Sequence, residues 1–267
     1  MSRLHIRESG VKSPRMLPIV LLHGWSCHGG FFDRQGEALA EETLVIAPDM
    51  PGHGKTKDAV DLTIETAADA VQALLEKRRL DRVLLAGWSM GAHVAFALIE
   101  RHGADRVAVL LTEDMTPKVL NDETWRLGTR NGNDAEHNKD VLAAISAYWP
   151  QVGEKVAEGI FAEGLTPDPD LLAYAKREML AADPALIAPM WASLTAQDFR
   201  PLIRKIEIPV HLVSGSRSAL YGRDVAQWQA ERLKDGHIHD FARSGHAPHL
   251  EEADAFTDLL RTLSTIA

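Results

Sequence analysis

The sequence predicts an α/β fold in which helices cover both faces of a mostly parallel sheet and a helical insertion interrupts the core. Short apolar runs alternate with helix-like segments up to residue 115, disappear between residues 116 and 200, and resume in residues 201–267. Short continuous apolar runs are typical of strands buried on both faces of a parallel sheet. We therefore expect one core formed by residues 1–115 and 201–267, with residues 116–200 as a helical cap.

Each strand is predicted from an apolar run that stops at glycine, proline or acidic residues. The expected strands cover residues 17–22, 43–47, 82–86, 107–111, 209–213 and 238–241. The expected helices cover residues 64–76, 91–101, 141–148, 153–162, 171–180 and 253–263. In residues 64–76, apolar side chains recur at intervals of three and four, which places them on one face of a helix. This order of strands and helices predicts a parallel sheet with helices on both faces.

Composition excludes several classes of function. The net charge of −9 argues against nucleic acid or an anionic membrane as a partner, because both attract basic surfaces. The only cysteine, Cys27, rules out an intramolecular disulfide. No apolar run approaches the roughly 20 residues needed to cross a bilayer. The polar residues 1–10 lack the apolar region of a signal peptide, so we expect a cytoplasmic protein acting on a small molecule.

The motif Gly87-Trp88-Ser89-Met90-Gly91 fits the pattern G-x-S-x-G. A predicted strand precedes it and a predicted helix follows it, which is the context of a sharp turn that lifts the serine hydroxyl above a sheet. We therefore expect Ser89 to be a nucleophile. The segment His23-Gly24-Trp25 ends the first predicted strand, at the edge of the sheet where α/β folds bind ligands. The backbone N–H groups of Trp25 and Met90 are the expected oxyanion donors.

A general base is expected on a late loop. His246 follows Gly245 in the segment 244–252, which lies between the last predicted strand and the final helix, and we take it as the base. His249 is expected to act as a cap or to pack beneath His246.

The acid that would orient this base is not at the expected position in the sequence. Ser218 stands in the turn after the fifth predicted strand, where an aspartate is expected. Glu113 and Asp114 end the strand beside the nucleophile strand and can reach the imidazole. We favour Asp114, with Glu113 as second choice. Asp224, a distant third, is expected to open a helix as its N-cap.

Aromatic residues and one histidine are candidate substrate contacts. These are Trp25, His28, Trp88, Trp125 and Trp149. The sequence has no metal-ligand spacing such as HExxH or CxxC and no dinucleotide-binding glycine pattern, so we expect neither a metal nor a cofactor.

The segments HGW, PGHG, GWSMG and SGHAPHLEE together resemble the α/β-hydrolase superfamily over nearly the whole chain. HGW and GWSMG resemble small carboxylesterases of the pimeloyl-ACP methyl ester esterase type. That resemblance implies Ser89 as nucleophile, His246 as base, and Trp25 with Met90 as oxyanion donors. Ser218 departs from it, because those esterases carry their aspartate at that position.

A second, narrower resemblance is to cofactor-independent dioxygenases that open 3-hydroxy-4-oxoquinoline rings. Those enzymes also place the acid after the earlier strand, as Asp114 is placed here, and residues 125–129 and 192–195 resemble their cap. They carry histidines beside the elbow serine, where this chain has Trp88 and Met90. The leading hypothesis is hydrolysis of a small carboxylic ester, thioester or lactone through an acyl-enzyme. The alternatives are dioxygenation with His246 as base, and a ligand receptor that retains the triad.

Overall fold

A computed structural model describes residues 4–58 and 61–266, which form one seven-stranded sheet flanked by helices. The strands are β1 (Ile6–Ser9), β2 (Ile19–Leu22), β3 (Val45–Pro48), β4 (Val83–Trp88), β5 (Val107–Glu113), β6 (Val210–Gly215) and β7 (Gly236–Phe241). The helices are α1 (Asp33–Leu39), α2 (Ile64–Lys77), α3 (Met90–His102), α4 (His137–Ala147), α5 (Trp149–Gly159), α6 (Pro169–Leu180), α7 (Pro184–Ala196), α8 (Arg200–Ile203), α9 (Arg223–Ala230), α10 (Pro248–Glu251) and α11 (Ala253–Ser264). A short 3-10 helix covers Gly29–Phe32.

The strand order is β1-β3-β2-β4-β5-β6-β7. Strand β1 runs antiparallel to β3, whereas the pairs from β3 through β7 are parallel. The carboxyl ends of the parallel strands therefore meet at one edge of the sheet, where open α/β folds bind ligands. The predicted fold class is confirmed.

Buried apolar side chains form two layers, one on each face of the sheet. Val20 and Leu22 of β2 pack in the layer that contains α2 and α3, whereas Ile19 and Leu21 pack in the layer that contains α11. This division follows from the pleat, which sends successive side chains to opposite faces. All four residues of β2 are buried, which explains why the sequence shows a continuous apolar run rather than an alternating one.

The structure differs from the predictions in several elements: helices α1, α7 and α8 were not predicted, and α4 begins at His137 rather than at residue 141. Strand β1, with the sequence IRES, was not predicted because its side chains are half-buried or exposed at the edge of the sheet. Helix α5 begins at Trp149 rather than Gly153, with Pro150 in its first turn. Proline is well tolerated there, because the first N–H groups of a helix have no partner within it. None of the helices in the described part of the chain is long and apolar enough to cross a membrane.

A buried histidine on α3 leads to a prediction about acid stability. His93 Nε2 lies 2.7 Å from the Thr116 carbonyl oxygen, and burial lowers the pKa of His93 to about 4. Because this pKa lies below the unfolded value of 6.5, the neutral ring contributes stability above pH 6.5 that is lost as the pH falls towards 4. The contribution is about 3 kcal/mol at most.

Glutamine at position 93 keeps an N–H donor for Thr116 but does not titrate. We therefore expect His93→Gln to lose less unfolding free energy between pH 7 and pH 4 than the unsubstituted protein, as measured by urea denaturation. Equal losses in the two proteins would contradict the assignment.

Candidate active site

Ser89 lies at the turn between β4 and α3, with a backbone conformation that side chains rarely adopt. Its φ is +53° and its ψ is −118°. Strain of this kind persists only where the surroundings enforce it, and it concentrates at functional sites. Gly91 helps to enforce the turn, because a Cβ at that position would lie 2.1 Å from the Leu22 carbonyl oxygen. The side chain of Ser89 is partly exposed, whereas Trp88 and Met90 on either side are buried.

His246 and Asp114 contact each other at the same edge of the sheet. His246 Nδ1 lies 2.7 Å from Asp114 Oδ2, and both side chains are buried. Asp114 directly follows β5 and has a φ of +43°, which turns its carboxylate towards the histidine loop. A carboxylate on Nδ1 fixes the tautomer that carries its proton there, and the lone pair of Nε2 remains able to accept a proton.

The backbone hydrogen bonds of the sheet set the relative positions of Ser89 and Asp114. The Ser89 N–H donates to the Glu113 carbonyl oxygen at 3.0 Å, and the Asp114 N–H donates to the Val213 carbonyl oxygen at 2.8 Å. Both residues are therefore anchored in the paired strands β4, β5 and β6.

Ser218 occupies the turn after β6, where an aspartate was expected. Its side chain contacts Asp114. Its hydroxyl donates to Asp114 Oδ2 at 2.6 Å and accepts from the N–H groups of Leu220 and Tyr221, each at 3.2 Å. A hydroxyl has one proton and two lone pairs, so accepting two N–H groups leaves its proton for Asp114. The Gly215 N–H, 3.3 Å from Asp114 Oδ1, also faces this carboxylate.

Glu113, the second choice for the acid, contacts a different histidine. Its Oε1 accepts from the His249 N–H at 2.9 Å and lies 2.8 Å from His249 Nδ1. Both side chains are almost fully buried. Asp224 is exposed in the first turn of α9, where it accepts from the Val225 N–H, and the N-cap of that helix is Gly222. Of the three carboxylates considered, only Asp114 contacts His246.

The expected oxyanion donors lie in the loop after β2 and at the start of α3. His23 anchors the loop: its Nε2 accepts from the Met50 N–H at 2.9 Å, and burial lowers its pKa, which keeps the ring neutral. No carbonyl or side chain among the described residues accepts a hydrogen bond from the Trp25 N–H. The Met90 N–H belongs to the first turn of α3, where such groups have no partner within the helix.

Two of the expected substrate contacts, Trp25 and Trp149, lie together where the loop after β2 meets helices α5 and α7. The Trp25 ring packs against those of Trp149 and Trp191, with centroids 5.4 and 4.9 Å away. Its indole N–H donates to the Ile187 carbonyl oxygen at 2.8 Å. This aromatic group joins the loop after β2 to helices α5 and α7.

The other expected substrate contacts have different partners. Trp88 is 1% exposed, donates its indole N–H to the His246 carbonyl oxygen at 2.7 Å, and packs beneath that loop against His249. Trp125 packs edge to face on Trp228, with centroids 4.9 Å apart. A substrate contact by Trp88 or Trp125 gains no support from these positions and stays a prediction.

His28 connects the loop after β2 to helix α6. Its Nε2 lies 3.0 Å from Glu178 Oε2 on α6, while its Nδ1 accepts from the Gly30 N–H. The two side chains line a cleft of about 190 Å³ together with Lys55 and Asp183. Although partial burial alone would raise it, hydrogen bonds from His28 and Arg177 hold the pKa of Glu178 below its usual value.

The sequence analysis missed two neighbours of the pair formed by His246 and Asp114. It treated Ser218 only as a missing acid, and it overlooked Tyr221, whose buried ring lies 5.8 Å from the His246 ring. The signal available for both was their place in the turn after a strand whose carboxyl end faces the site.

Comparisons with known proteins identify the family and the fold. A model of the alpha/beta hydrolase family matches residues 19–259. The pimeloyl-[acyl-carrier protein] methyl ester esterase of Chromobacterium violaceum is 30% identical over 91% of this chain and 92% of its own length. An esterase from Exiguobacterium antarcticum superposes with a TM-score of 0.89 at 21% identity, covering 98% of this chain and 95% of its own. The enol-lactonase from Burkholderia xenovorans superposes with a TM-score of 0.82, also at 21% identity, covering 98% and 96%.

Proposed function

This chain belongs to the alpha/beta hydrolase family, and we propose that it hydrolyses a small carboxylic ester, thioester or lactone through an acyl-enzyme on Ser89. The observation that carries the proposal is the contact of 2.7 Å between His246 Nδ1 and Asp114 Oδ2, at the sheet edge that also carries the strained, partly exposed Ser89. The chain is a carboxylic ester hydrolase that acts on small molecules.

The proposed reaction has two stages. His246 Nε2 takes the proton of Ser89, whose oxygen attacks the substrate carbonyl, and the oxyanion is bound by the N–H groups of Trp25 and Met90. His246 then gives its proton to the departing alcohol, thiol or lactone oxygen. Water attacks the acyl-enzyme with His246 again as base, which releases the acid and restores Ser89. Asp114 stabilises the imidazolium at each stage.

We propose that residues 116–200 form the cap that shapes the substrate pocket. The packing of Trp149 and Trp191 on Trp25 supports this role, because Trp25 is also the expected oxyanion residue. Since the relative from Chromobacterium violaceum is named as a methyl ester esterase, methyl esters of acyl chains belong in the first substrate panel beside chromogenic esters.

The dioxygenase alternative uses the same His246 to deprotonate a ring hydroxyl before the anion reacts with oxygen. The relative and the structures named above are esterases and a lactonase, and they give this alternative no support. It nevertheless makes a distinct chemical prediction, so it serves as one arm of the test.

We expect turnover of p-nitrophenyl acetate or butyrate, or of fatty acid methyl esters, without oxygen uptake. The measurements are p-nitrophenol release, titration of the acid formed, and oxygen consumption with a 3-hydroxy-4-quinolone. Oxygen uptake with carbon monoxide release, in the absence of ester turnover, would establish the dioxygenase instead. Saturable ester binding without turnover would indicate a receptor and would contradict the proposal.

A further inference from the structure

The loop that carries His246 is tied to the cap by a glutamate that the proposed mechanism does not use. Glu251, at the end of α10, accepts from the Gly245 N–H at 2.6 Å through Oε2. Its other oxygen, Oε1, accepts from the Ala162 N–H at 2.9 Å. Gly245 immediately precedes His246, and Ala162 lies in the cap between α5 and α6. One carboxylate therefore joins the two segments.

Backbone contacts at the same place strengthen this junction. The His246 N–H donates to the Ile160 carbonyl oxygen at 2.8 Å. A Cβ on Gly245 would lie 2.4 Å from the Phe161 carbonyl group. The two backbone segments are therefore too close together for a residue larger than glycine at position 245. The Glu163 N–H donates to the Arg217 carbonyl oxygen at 2.9 Å, in the turn that also carries Ser218. Residues 160–163 of the cap thus contact both the base loop and the turn behind the acid.

Both carboxylate oxygens of Glu251 accept hydrogen bonds in a partly buried position. Burial raises the pKa of Glu251, and the N–H groups of Gly245 and Ala162 act in the opposite direction. The guanidinium of Arg243 pairs with the neighbouring Glu252 at 3.7 Å. The carboxylate of Glu251 is therefore held by two backbone N–H groups, each of which donates to a different oxygen.

We propose that Glu251 is a positioning residue for ester hydrolysis, which holds the cap segment 160–163 to the His246 loop so that base and pocket keep one relative position. The inference rests on the proposed function, since it assigns Glu251 a part in that reaction. Its physical basis is the sensitivity of catalysis to geometry, because a displacement of about 1 Å can lower a rate about 100-fold.

Glu252 offers a matched control. It accepts from the Arg243 N–H at 2.9 Å and from the Ser244 hydroxyl at 2.7 Å, so it anchors the same loop. Neither of these partners lies in the cap. Removing Glu252 therefore loosens the loop and leaves the junction with Ala162 in place.

The test compares Glu251→Gln with Glu252→Ala. Glutamine offers one acceptor oxygen and places an NH2 group against the other N–H, so one of the two contacts is lost. We expect Glu251→Gln to lower kcat/KM for a short ester about 10- to 100-fold, and Glu252→Ala to lower it less than about threefold at a similar fall in Tm. Hydrogen–deuterium exchange of the peptide that contains Ala162 should accelerate only in Glu251→Gln. Glu251→Ala, which adds no opposing donor, replaces the glutamine variant if that protein does not fold.

Equal losses of kcat/KM in the Glu251 and Glu252 variants would overturn the proposal, because they would indicate a general loosening of the loop. Unchanged exchange at Ala162 in Glu251→Gln would overturn it as well. The exchange measurement needs no substrate, so it tests the junction even if no ester is turned over. Absence of ester turnover with accelerated exchange would reject the proposed function alone.

Discussion

Replacing Ser89 by alanine is expected to remove ester hydrolysis, with a fall in kcat of about 10⁶-fold. The substitution deletes the oxygen that attacks the carbonyl, and the base and oxyanion donors cannot compensate when no acyl-enzyme forms. Alanine is smaller than serine, so the turn enforced by Gly91 and the contacts of α3 remain. The measurement is p-nitrophenyl ester turnover with a matched variant, Ser146→Ala, whose exposed hydroxyl donates to the Leu142 carbonyl oxygen within α4.

A phosphonate ester that mimics the tetrahedral intermediate provides a second readout. It should label the unsubstituted protein once, on the peptide that contains Ser89, and leave Ser89→Ala unlabelled. Persistent ester turnover by Ser89→Ala, or labelling at another residue, would contradict the assignment of the nucleophile.

Replacing Asp114 by asparagine is expected to lower kcat about 10⁴-fold while the protein stays folded. The amide presents either a donor or a weaker acceptor to His246 Nδ1, which favours the wrong tautomer and fails to stabilise the imidazolium. Asparagine tolerates the φ of +43° at this position better than most residues, so the turn after β5 should persist. The measurement is kcat for a short ester, with circular dichroism to confirm the fold.

Three further variants separate Asp114 from its competitors. Asp224→Asn should leave kcat close to that of the unsubstituted protein, because Asp224 is exposed on α9. Glu113→Gln should act mainly on stability, since Glu113 contacts His249. Adding Ser218→Asp to Asp114→Asn should restore part of the lost rate, because the Ser218 oxygen lies 2.6 Å from the acid it would replace. An inactive Asp224→Asn beside an active Asp114→Asn would refute the assignment.

The sequence was most informative where local pattern and sheet topology act together. The buried strands could be predicted because a strand covered on both faces must be apolar throughout, as β2 and β4 are. Asp114 could be proposed because the carboxyl ends of neighbouring parallel strands meet at one edge. The structure then placed its carboxylate 2.7 Å from His246. Strand β1 was not predicted, because a strand at the edge of a sheet does not need a continuous apolar run.

Side-chain direction and distant contacts could not be predicted. The sequence beside Ser89 does not reveal that the Trp88 indole turns beneath the loop towards the His246 carbonyl rather than towards a substrate. Glu251 and Ala162 are 89 residues apart. Their contact depends on how the segment between α5 and α6 packs against the loop that carries His246. No pattern within either segment indicates that they meet.

The anchoring of Ser89 and Asp114 in adjacent strands also has a consequence for the order in which activity arises during synthesis. Strands β4 and β5 are consecutive in the chain, so their pairing requires only one crossover through α3. His246 lies 132 residues beyond Asp114. A growing chain therefore contains the proposed nucleophile and acid before the proposed base has been synthesised. A chain truncated before His246 contains the proposed nucleophile without the group proposed to activate it, and we expect such a chain to hydrolyse no ester.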